Sequence, residues 1–439
     1  MPDRWPLAES EEARTPPAPE PPKVGPFDRD FWRSPLRGKW LTSFLGSAML
    51  PLLIVCGITG FLSHAAYDPD LGSNDITGGF DSGFYFFDWP TSPAWLYSVT
   101  QGLHVLSGFA AIPILVAKLW SVIPKLFERP PVRSMANALE RLSIATLVGS
   151  SIFLFATGTI NITYWLPFPF AFTPAHYYAA IIFVAALALH VALKLPKIVA
   201  SFRREGAFRP LGEGIEMMRA ADAAEDDLAP TNPAEATISR RGLILAVGAG
   251  SAGLVGLNIG TNLLPSLRET SLLSGRGQSY GDGPNDFQVN KTFESVGIEE
   301  SATGTGWRLE LIGPGERMTE LSRDELLAMD LREERLPIAC VEGWTTYQDW
   351  TGVQLRELAG IAGFDGDATV LVESLQEAGA FRQTTLNPGQ VFDERSLLAL
   401  RVNGADLSLD HGFPARVIVP ALPGVHNTKW VTRMTFQEA

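Results

Sequence analysis

Four long apolar stretches in the first half of the chain constrain its fold more than any other feature. They run over residues 40–62, 95–122, 139–160 and 175–195. Each reaches the roughly 20 residues that a helix needs to cross the hydrocarbon core of a bilayer. The Gly and Pro residues inside them are tolerated in membrane helices. The sequence therefore predicts a membrane bundle of four helices over residues 39–200.

The distribution of Lys and Arg predicts the orientation of this bundle. The loops over residues 65–93 and 161–174 hold no Lys or Arg, whereas the segments at the opposite ends of the four stretches are rich in both. Because cytoplasmic loops carry the excess of positive charge, the N-terminus is predicted to be cytoplasmic and these two loops external. Residues 1–38, which are Pro- and Glu-rich up to about residue 30, are predicted to be a disordered cytoplasmic tail.

A polar linker and a fifth apolar stretch follow the bundle. Residues 201–238, with an Ala-, Glu- and Asp-rich centre, are predicted to be a cytoplasmic linker. Ser239, Arg240 and Arg241 then precede an apolar, Gly-rich stretch, a pattern that resembles a twin-arginine export signal. The equal alternative is a pair of anchor charges at the inner membrane face. No small-residue cleavage site follows, so residues 239–264 are predicted to remain as a transmembrane anchor.

Residues 265–439 differ from the rest in charge and are predicted to form an extracytoplasmic domain. They hold 15 Lys and Arg against 26 Asp and Glu, in a chain whose net charge is −13. Such an acidic balance argues against a protein whose main partner is nucleic acid. A capping box at Ser322 and Glu325, a helix predicted over residues 352–360 and short β runs between Gly and Pro turns indicate an α+β fold.

The chain has two cysteines, too few for a disulfide scaffold. Cys56 lies in the first apolar stretch, where a small apolar thiol is ordinary packing material. Cys340 is the only cysteine of the exported part, and a lone thiol in an oxidising compartment is a liability unless it is buried or bonded. Three roles therefore stay open for Cys340: a buried core residue, a nucleophile or a metal ligand.

Two C-terminal segments resemble a known enzyme family. Residues 336–344 (LPIACVEGW), followed by residues 350–355 (WTGVQL), resemble the cysteine segment of the sulfite oxidase superfamily of molybdopterin oxidoreductases. The closest similarity is to the bacterial branch typified by the catalytic subunit of methionine sulfoxide reductase. Independently, residues 409–420 (LDHGFPARVIVP) resemble the pterin-binding stretch of that family. The resemblance covers about residues 285–436.

The resemblance implies a molybdenum held by a pterin dithiolene and by one protein thiolate, a soft ligand that Cys340 would supply. Glu342 and Tyr347 are the further catalytic candidates. The arginine-rich run around the sulfite pocket of the animal and plant enzymes has no counterpart near Cys340, which disfavours sulfite as the substrate. For Glu342 and Asn290 an ordinary polar loop residue is the equal alternative. The predicted cofactor-binding residues are Asn290, His411, Arg416, His426 and Lys429.

Three histidines of the membrane stretches are predicted haem ligands, because histidine inside a membrane span marks a functional site by default. His176 and His190 are fourteen residues apart, which places them on one helix face about 21 Å from each other. This spacing resembles the four-helix b-type cytochrome of formate dehydrogenases and nickel–iron hydrogenases. By depth, His104 pairs with His176 around an outer haem, and His190 would need Met49 for a second one. Hydrogen bonding between helices without haem is the alternative.

Together, the patterns predict an all-α transmembrane helical bundle followed by an α+β sulfite-oxidase-like molybdopterin domain, in the cytoplasmic membrane. The predicted activity exchanges two electrons with a small extracytoplasmic substrate, and single electrons, through one or two haem b groups, with the quinone pool. A quinol-linked sulfoxide reductase is the enzymatic alternative. A membrane-tethered sensor or assembly protein with a metal-free fold is the non-enzymatic one. Expected partners are membrane lipid, quinone or quinol and the small substrate; a redox partner protein is left open.

Overall fold

Five long apolar helices form the first part of the computed structural model. Each is long and apolar enough to cross a membrane. They are α1 (Lys39–Ala65), α2 (Leu96–Leu126), α3 (Met135–Ile162), α4 (Phe172–Glu205) and α5 (Arg240–Asn262). Helix α1 packs against α2 and α4, α3 packs against α4, and α5 packs along α2. The four predicted membrane helices therefore pack together, and the fifth helix, α5, lies on one side of them against α2.

The structure describes residues 31–67, 87–127, 134–163, 169–276 and 281–439, with residues 25, 85, 165 and 167. Most of the predicted disordered tail lies outside these residues. Within its last part, residues 35–38 are instead buried, which corrects the prediction for these residues.

The packed segment before α1 is held by one charged and one apolar side chain. Arg37 is 1% exposed and donates from Nη2 to the carbonyl oxygen of Ser121 at 3.1 Å. Leu36 joins an apolar cluster with Trp40 and with Met218 of the linker. Burial of these groups against the end of the bundle orders the segment despite its polar flanks.

The predicted linker folds back on the same end of the bundle. The carboxylate of Asp226 accepts a hydrogen bond from the backbone N–H of Lys39 at 2.6 Å. Arg240 is ion-paired with Glu213 at 2.9 Å and lies over the ring of Trp40. These contacts fit the reading of Arg240 as an anchor charge at the start of α5.

The C-terminal part contains two β-sheets, as expected for the predicted α+β class. The first sheet has the strand order β2-β1-β10-β5-β6, in which only β1 and β10 run parallel. The second has the order β3-β4-β7-β8, with β9 also paired to β7. The strands are β1 (Arg308–Ile312), β2 (Met318–Ser322), β3 (Arg332–Cys340), β4 (Trp344–Gln354), β5 (Ala368–Ser374), β6 (Gln383–Leu386), β7 (Leu397–Val402), β8 (Ala405–Asp406), β9 (Arg416–Ile418) and β10 (Val431–Glu438).

Three short helices accompany the sheets: α6 (Arg323–Leu327), α7 (Leu355–Ala362) and α8 (Pro388–Val391). The capping box predicted at Ser322 and Glu325 starts α6. Helix α7 begins three residues later than the predicted residue 352, because residues 352–354 pair with β7 as the end of β4.

The C-terminal domain sits on one end of the bundle, opposite the end that holds the linker. Trp89 donates from its indole nitrogen to the carbonyl oxygen of Ala421 at 2.7 Å, and the N–H of Ala421 donates to Ala94 at 3.1 Å. The N–H of Gly275 donates to the carbonyl oxygen of Ile162 at the end of α3. Trp89 belongs to one of the two loops that lack Lys and Arg, and Ile162 belongs to the other, so these described residues lie at the end of the bundle that carries the domain.

Candidate active site and the adjoining membrane cavity

Cys340 is the last residue of β3 and lies where the domain meets the bundle. It is 3% exposed, and the N–H of Gly343 closes a turn on its carbonyl oxygen at 3.0 Å. Burial raises the pKa of the Cys340 thiol well above its ordinary value, and the charge of Glu342 raises it further. The protein alone thus keeps this thiol protonated, and a bound metal cation would be needed to form the thiolate.

Glu342 is held beside Cys340 by an arginine from a distant segment. Arg276 forms an ion pair with Glu342 at 2.8 Å, and the indole nitrogen of Trp344 donates to the same carboxylate oxygen at 3.0 Å. Burial raises the pKa of Glu342, while Trp344 and Arg276 oppose that rise. The sequence pattern around Cys340 does not identify Arg276 as a neighbour of Glu342, because Arg276 lies far from both residues along the chain.

A small cavity of about 40 Å³ lies next to the Cys340 strand. One of its walls is Gly424, whose N–H donates to the carbonyl oxygen of Ala339 at 2.7 Å. Of the predicted cofactor-binding residues, Asn290 and Lys429 line this cavity. Lining residues that the sequence analysis did not identify are Lys291, Ser374, Gln376, Phe381, Asn427 and Thr428.

Lys429 gives this cavity its charge. Its ammonium group donates to the carbonyl oxygens of Lys291 at 2.5 Å and Asp410 at 3.0 Å. Burial lowers the pKa of Lys429 well below its ordinary value, and the nearby charge of Arg416 lowers it further. Because carbonyl oxygens only partly compensate the charge of this half-buried ammonium group, an anion in the cavity would be stabilised.

His411 and Arg416 stand behind this cavity rather than lining it. The Nε2 atom of His411 is hydrogen-bonded to the carbonyl oxygen of Asn285 at 2.9 Å, and burial lowers its pKa to about 3. Arg416 donates to the carbonyl oxygens of His411 and Asn427, both at 3.1 Å, and burial lowers its pKa to about 9. Asn427 is a lining residue, so the Arg416 side chain braces the backbone of the wall.

His426 also lies behind the small cavity. Its Nδ1 atom is 2.8 Å from the hydroxyl oxygen of Thr384, and its ring packs edge-on against Phe381, which does line the cavity. This predicted cofactor-binding residue therefore supports the wall through an aromatic contact.

Tyr347 is not brought to Cys340. It pairs with Pro337 on the neighbouring strand, three positions from Cys340, and is 38% exposed. At about 3.4 Å per residue the separation along the strand is about 10 Å. Tyr347 is therefore not a neighbour of Cys340 in the sheet, and its role as an active-site phenol stays a prediction.

Two buried tyrosines of the bundle lie near Cys340 instead. Tyr67 follows α1, and its pKa is raised well above the ordinary value by burial and by the proximity of Tyr97, Cys340 and Glu342. The phenol oxygen of Tyr97 is buried and has no hydrogen-bond partner within the described residues. The sequence analysis did not single out either tyrosine, since both lie at the ends of apolar stretches.

A larger cavity, of about 190 Å³, lies inside the bundle between α1, α2, α3 and α4. This volume is more than ten times what one water molecule requires. We call it the membrane cavity. His104 of α2 and His176 of α4 both line it, with ring centroids 6.1 Å apart and planes at 87°.

The hydrogen bonds of these two histidines define which nitrogen faces the membrane cavity. His104 donates from Nδ1 to the carbonyl oxygen of Cys56 at 2.8 Å. The hydroxyl of Thr157 donates to Phe153 and so accepts from Nδ1 of His176 at 3.1 Å. Each neutral ring therefore keeps the lone pair of its Nε2 atom for another ligand.

His190 and Met49, predicted as partners for a second haem, do not line the membrane cavity. Met49 packs against the apolar cluster of Leu53, Ala111 and Phe183. Nδ1 of His190 is buried without a hydrogen-bond partner in the part of the chain that the structure describes.

The residue after Cys340 connects the two parts of the molecule. Val341 lines the membrane cavity, and its carbonyl oxygen accepts hydrogen bonds from the side-chain amides of Gln101 at 3.3 Å and Asn161 at 3.0 Å. The loop that carries Cys340 is thus one wall of the cavity that holds His104 and His176.

Comparison with known families defines the class of the C-terminal part. Residues 296–439 match the model of the oxidoreductase molybdopterin binding domain. Residues 296–439 are therefore similar to oxidoreductase domains that bind molybdopterin. The matched residues do not include the five apolar helices.

Individual relatives agree with this class. The chain is 31% identical to the uncharacterized oxidoreductase YuiH of Bacillus subtilis over 133 residues, covering 30% of this chain and 66% of that protein. It is 29% identical to mitochondrial sulfite oxidase of Mus musculus over 158 residues, covering 30% and 29%. It is 32% identical to the protein-methionine-sulfoxide reductase catalytic subunit MsrP of Xanthomonas campestris over 146 residues, covering 30% and 45%. The match spans less than two thirds of each of these relatives.

Proposed function

We propose that the chain is a membrane-anchored molybdenum oxidoreductase that exchanges electrons between a small external substrate and the quinone pool through haem b in the membrane cavity. One observation carries the proposal: Val341 both follows Cys340 and lines the cavity with His104 and His176. The loop that carries the candidate molybdenum ligand therefore borders the cavity that the candidate haem ligands line.

The two histidines fit a haem iron in three respects. Metal–nitrogen bonds of about 2 Å on opposite sides of an iron would put two imidazole centroids on the order of 6 Å apart, and the observed separation is 6.1 Å. Both Nδ1 atoms are held by hydrogen bonds, which is how metal-ligating histidines are usually oriented. Gly60 keeps the space open, since a Cβ there would lie 2.7 Å from the ring of His104.

The alternative, that these histidines only hydrogen-bond between helices, explains less. It accounts for the bonds from Nδ1 to α1 and α3. It does not explain why both Nε2 lone pairs border a common cavity, because a polar atom in a membrane span without a partner is costly.

The C-terminal domain offers matching groups for the molybdenum cofactor. The half-buried ammonium group of Lys429 and the amide of Asn290 fit a pterin phosphate, and Cys340 fits the protein thiolate ligand. When bound, the cofactor supplies two-electron chemistry, including oxygen-atom transfer. Glu342 is held beside that site by its ion pair with Arg276.

Two observations guide the choice of substrate. Arg276 places a guanidinium group on Glu342, which is two residues after Cys340 in the sequence, and such a group suits a substrate with an anionic or strongly polar oxygen. The relative from Xanthomonas campestris is named for methionine sulfoxide reduction. The first activity to test is therefore reduction of a sulfoxide with electrons from quinol. In the opposite direction of electron flow, a small oxyanion or organic compound would be oxidised.

The test follows haem absorbance in the purified full-length protein. The protein is reduced with dithionite, freed of excess reductant and mixed with a sulfoxide; separately, the oxidised protein is mixed with sulfite. Oxidation of ferrous haem by the sulfoxide in wild type, and not in Cys340→Ser, supports reduction. Reduction of ferric haem by sulfite supports the opposite direction. If wild type from a host that makes both cofactors shows no haem b spectrum, the haem route is wrong.

A further inference from the structure

We propose that the peptide of Val341, held by Gln101 and Asn161, is the electron bridge between the membrane cavity and Cys340. The two amides are then positioning residues for electron transfer between haem and molybdenum. This inference rests on the proposed haem ligation by His104 and His176. It adds the path that electrons take between haem and molybdenum, which the proposed function does not specify.

The first observation is the double hydrogen bond. The carbonyl oxygen of Val341 accepts from Nε2 of Gln101 at 3.3 Å and from Nδ2 of Asn161 at 3.0 Å. A carbonyl oxygen has two lone pairs, so its capacity is filled by two different membrane helices. Both amide side chains are buried, at 5% exposure each. Polar side chains buried in membrane helices are costly unless paired, so this pairing positions the peptide closely.

The second observation is the helical spacing. In α2, Gln101 lies three residues before His104, on the same helix face. In α3, Thr157, which holds Nδ1 of His176, lies four residues before Asn161, again on one face. Each of the two helices therefore provides one amide side chain that donates to Val341. About one turn deeper in the bundle, α2 provides His104 itself and α3 provides Thr157, which holds His176.

The third observation is the tight seating of the Cys340 loop on the bundle. Gly343 has φ of 75°, a conformation that favours glycine. A Cβ at this position would lie 2.4 Å from Cδ1 of Ile162 and 3.4 Å from Oδ1 of Asn262. The loop therefore lies against α3 and α5 at a distance that a residue with a Cβ would not allow.

These features form a continuous path of bonds and hydrogen bonds from His104 through Gln101 and Val341 to Cys340. Electron transfer slows steeply when a path contains gaps between atoms, and here the only non-covalent steps are hydrogen bonds. Each event moves one electron, so one metal centre is oxidised and the other reduced by one. Two events match the two electrons exchanged with substrate, and no bond is made or broken at Val341.

The test replaces both amides by apolar side chains of similar size, in the variant Gln101→Met with Asn161→Leu. The pre-reduced full-length protein is mixed with a sulfoxide, or the oxidised protein with sulfite, and haem absorbance is followed in stopped flow. Molybdenum content, the haem spectrum and turnover of the molybdenum site with a dye as redox partner are measured in parallel. The matched control is Asn258→Leu, an equally buried amide that donates within its own helix.

We expect the double variant to keep both cofactors and its dye-linked turnover within about twofold, while the haem reaction slows at least tenfold. Each single variant should slow the haem reaction about threefold. If the double variant does not assemble, the two single variants are compared with wild type instead. An unchanged haem rate in variants that hold both cofactors overturns the bridge but leaves the proposed function intact. An equal slowing in Asn258→Leu also overturns it. Wild type without haem overturns the proposed function and, with it, the bridge.

Discussion

Asn161 donates a hydrogen bond at 3.0 Å to the carbonyl oxygen of Val341, so the last turn of a membrane helix holds the peptide next to Cys340. The loop with the candidate molybdenum ligand is therefore shaped by two parts of the chain at once. Val341, the neighbour of Cys340, also lines the membrane cavity.

Replacing Cys340 by Ser should remove molybdenum from the protein. A serine hydroxyl in this buried place lacks the soft thiolate that the metal prefers, so we expect the molybdenum content to fall at least tenfold by elemental analysis. The haem spectrum should be unchanged, because Cys340 does not touch the histidines. Cys56→Ser is the matched control and should retain molybdenum. Full molybdenum content in Cys340→Ser would contradict the assignment of the ligand.

Replacing His104 or His176 by Ala should abolish the haem b spectrum. Each substitution removes one of the two Nε2 atoms at the cavity, and loss of one axial ligand weakens binding strongly. Molybdenum content should be unaffected. His190→Gln, outside the membrane cavity, should retain the spectrum. A pyridine haemochrome of wild-type intensity in either alanine variant would exclude this site.

Replacing Arg276 by Gln should destabilise the domain in a pH-dependent way. The substitution leaves the buried carboxylate of Glu342 without its ion-pair partner, which costs on the order of 3–5 kcal/mol. Its pKa, already raised by burial, would rise further, so Glu342 takes up a proton as the pH falls and the cost shrinks. The midpoint of thermal unfolding should therefore drop more at pH 8 than at pH 5.

The double variant Arg276→Gln with Glu342→Gln separates charge from packing. Because it removes the unpaired carboxylate, it should recover most of the lost stability at pH 8. If the double variant is as unstable as the single one, the ion pair is not the cause of the effect.

His411 should make the free energy of unfolding fall as the pH is lowered. Its pKa is about 3 in the folded protein, against 6.5 for the ordinary residue. Between these values the unfolded chain binds more protons than the folded one, so stability is full above about pH 6.5 and falls as the pH is lowered toward 3. The slope reaches at most about 1.4 kcal/mol per pH unit.

The variant His411→Gln, which cannot take up the proton, should reduce that slope. The measurement is the thermal unfolding midpoint of both proteins from pH 7 to pH 4.5, compared at each pH. Parallel curves for wild type and variant would show that His411 does not contribute.

Local patterns in the sequence were enough to locate most of the fold. The apolar stretches predicted the four spans and the fifth helix, and Ser322 with Glu325 predicted the start of α6, because helix length and capping depend on residues close together in the chain. The segment around Cys340 likewise pointed to the molybdopterin family. Helix α7 was misplaced by three residues because pairing with β7 extends β4, which no local pattern reveals.

The sites depended on tertiary structure. The sequence determined that Cys340 and the membrane histidines exist and belong to different parts of the chain, and it gave Asn290 and Lys429 as cofactor candidates. Only the folded chain brings Arg276 to Glu342, places Tyr347 away from Cys340 and turns His411 and Arg416 behind the cavity wall. Only the folded chain sets Gln101 and Asn161 on one carbonyl oxygen. The physical reason is that side-chain direction and contacts between distant segments are decided by packing, which residue spacing along the chain does not encode.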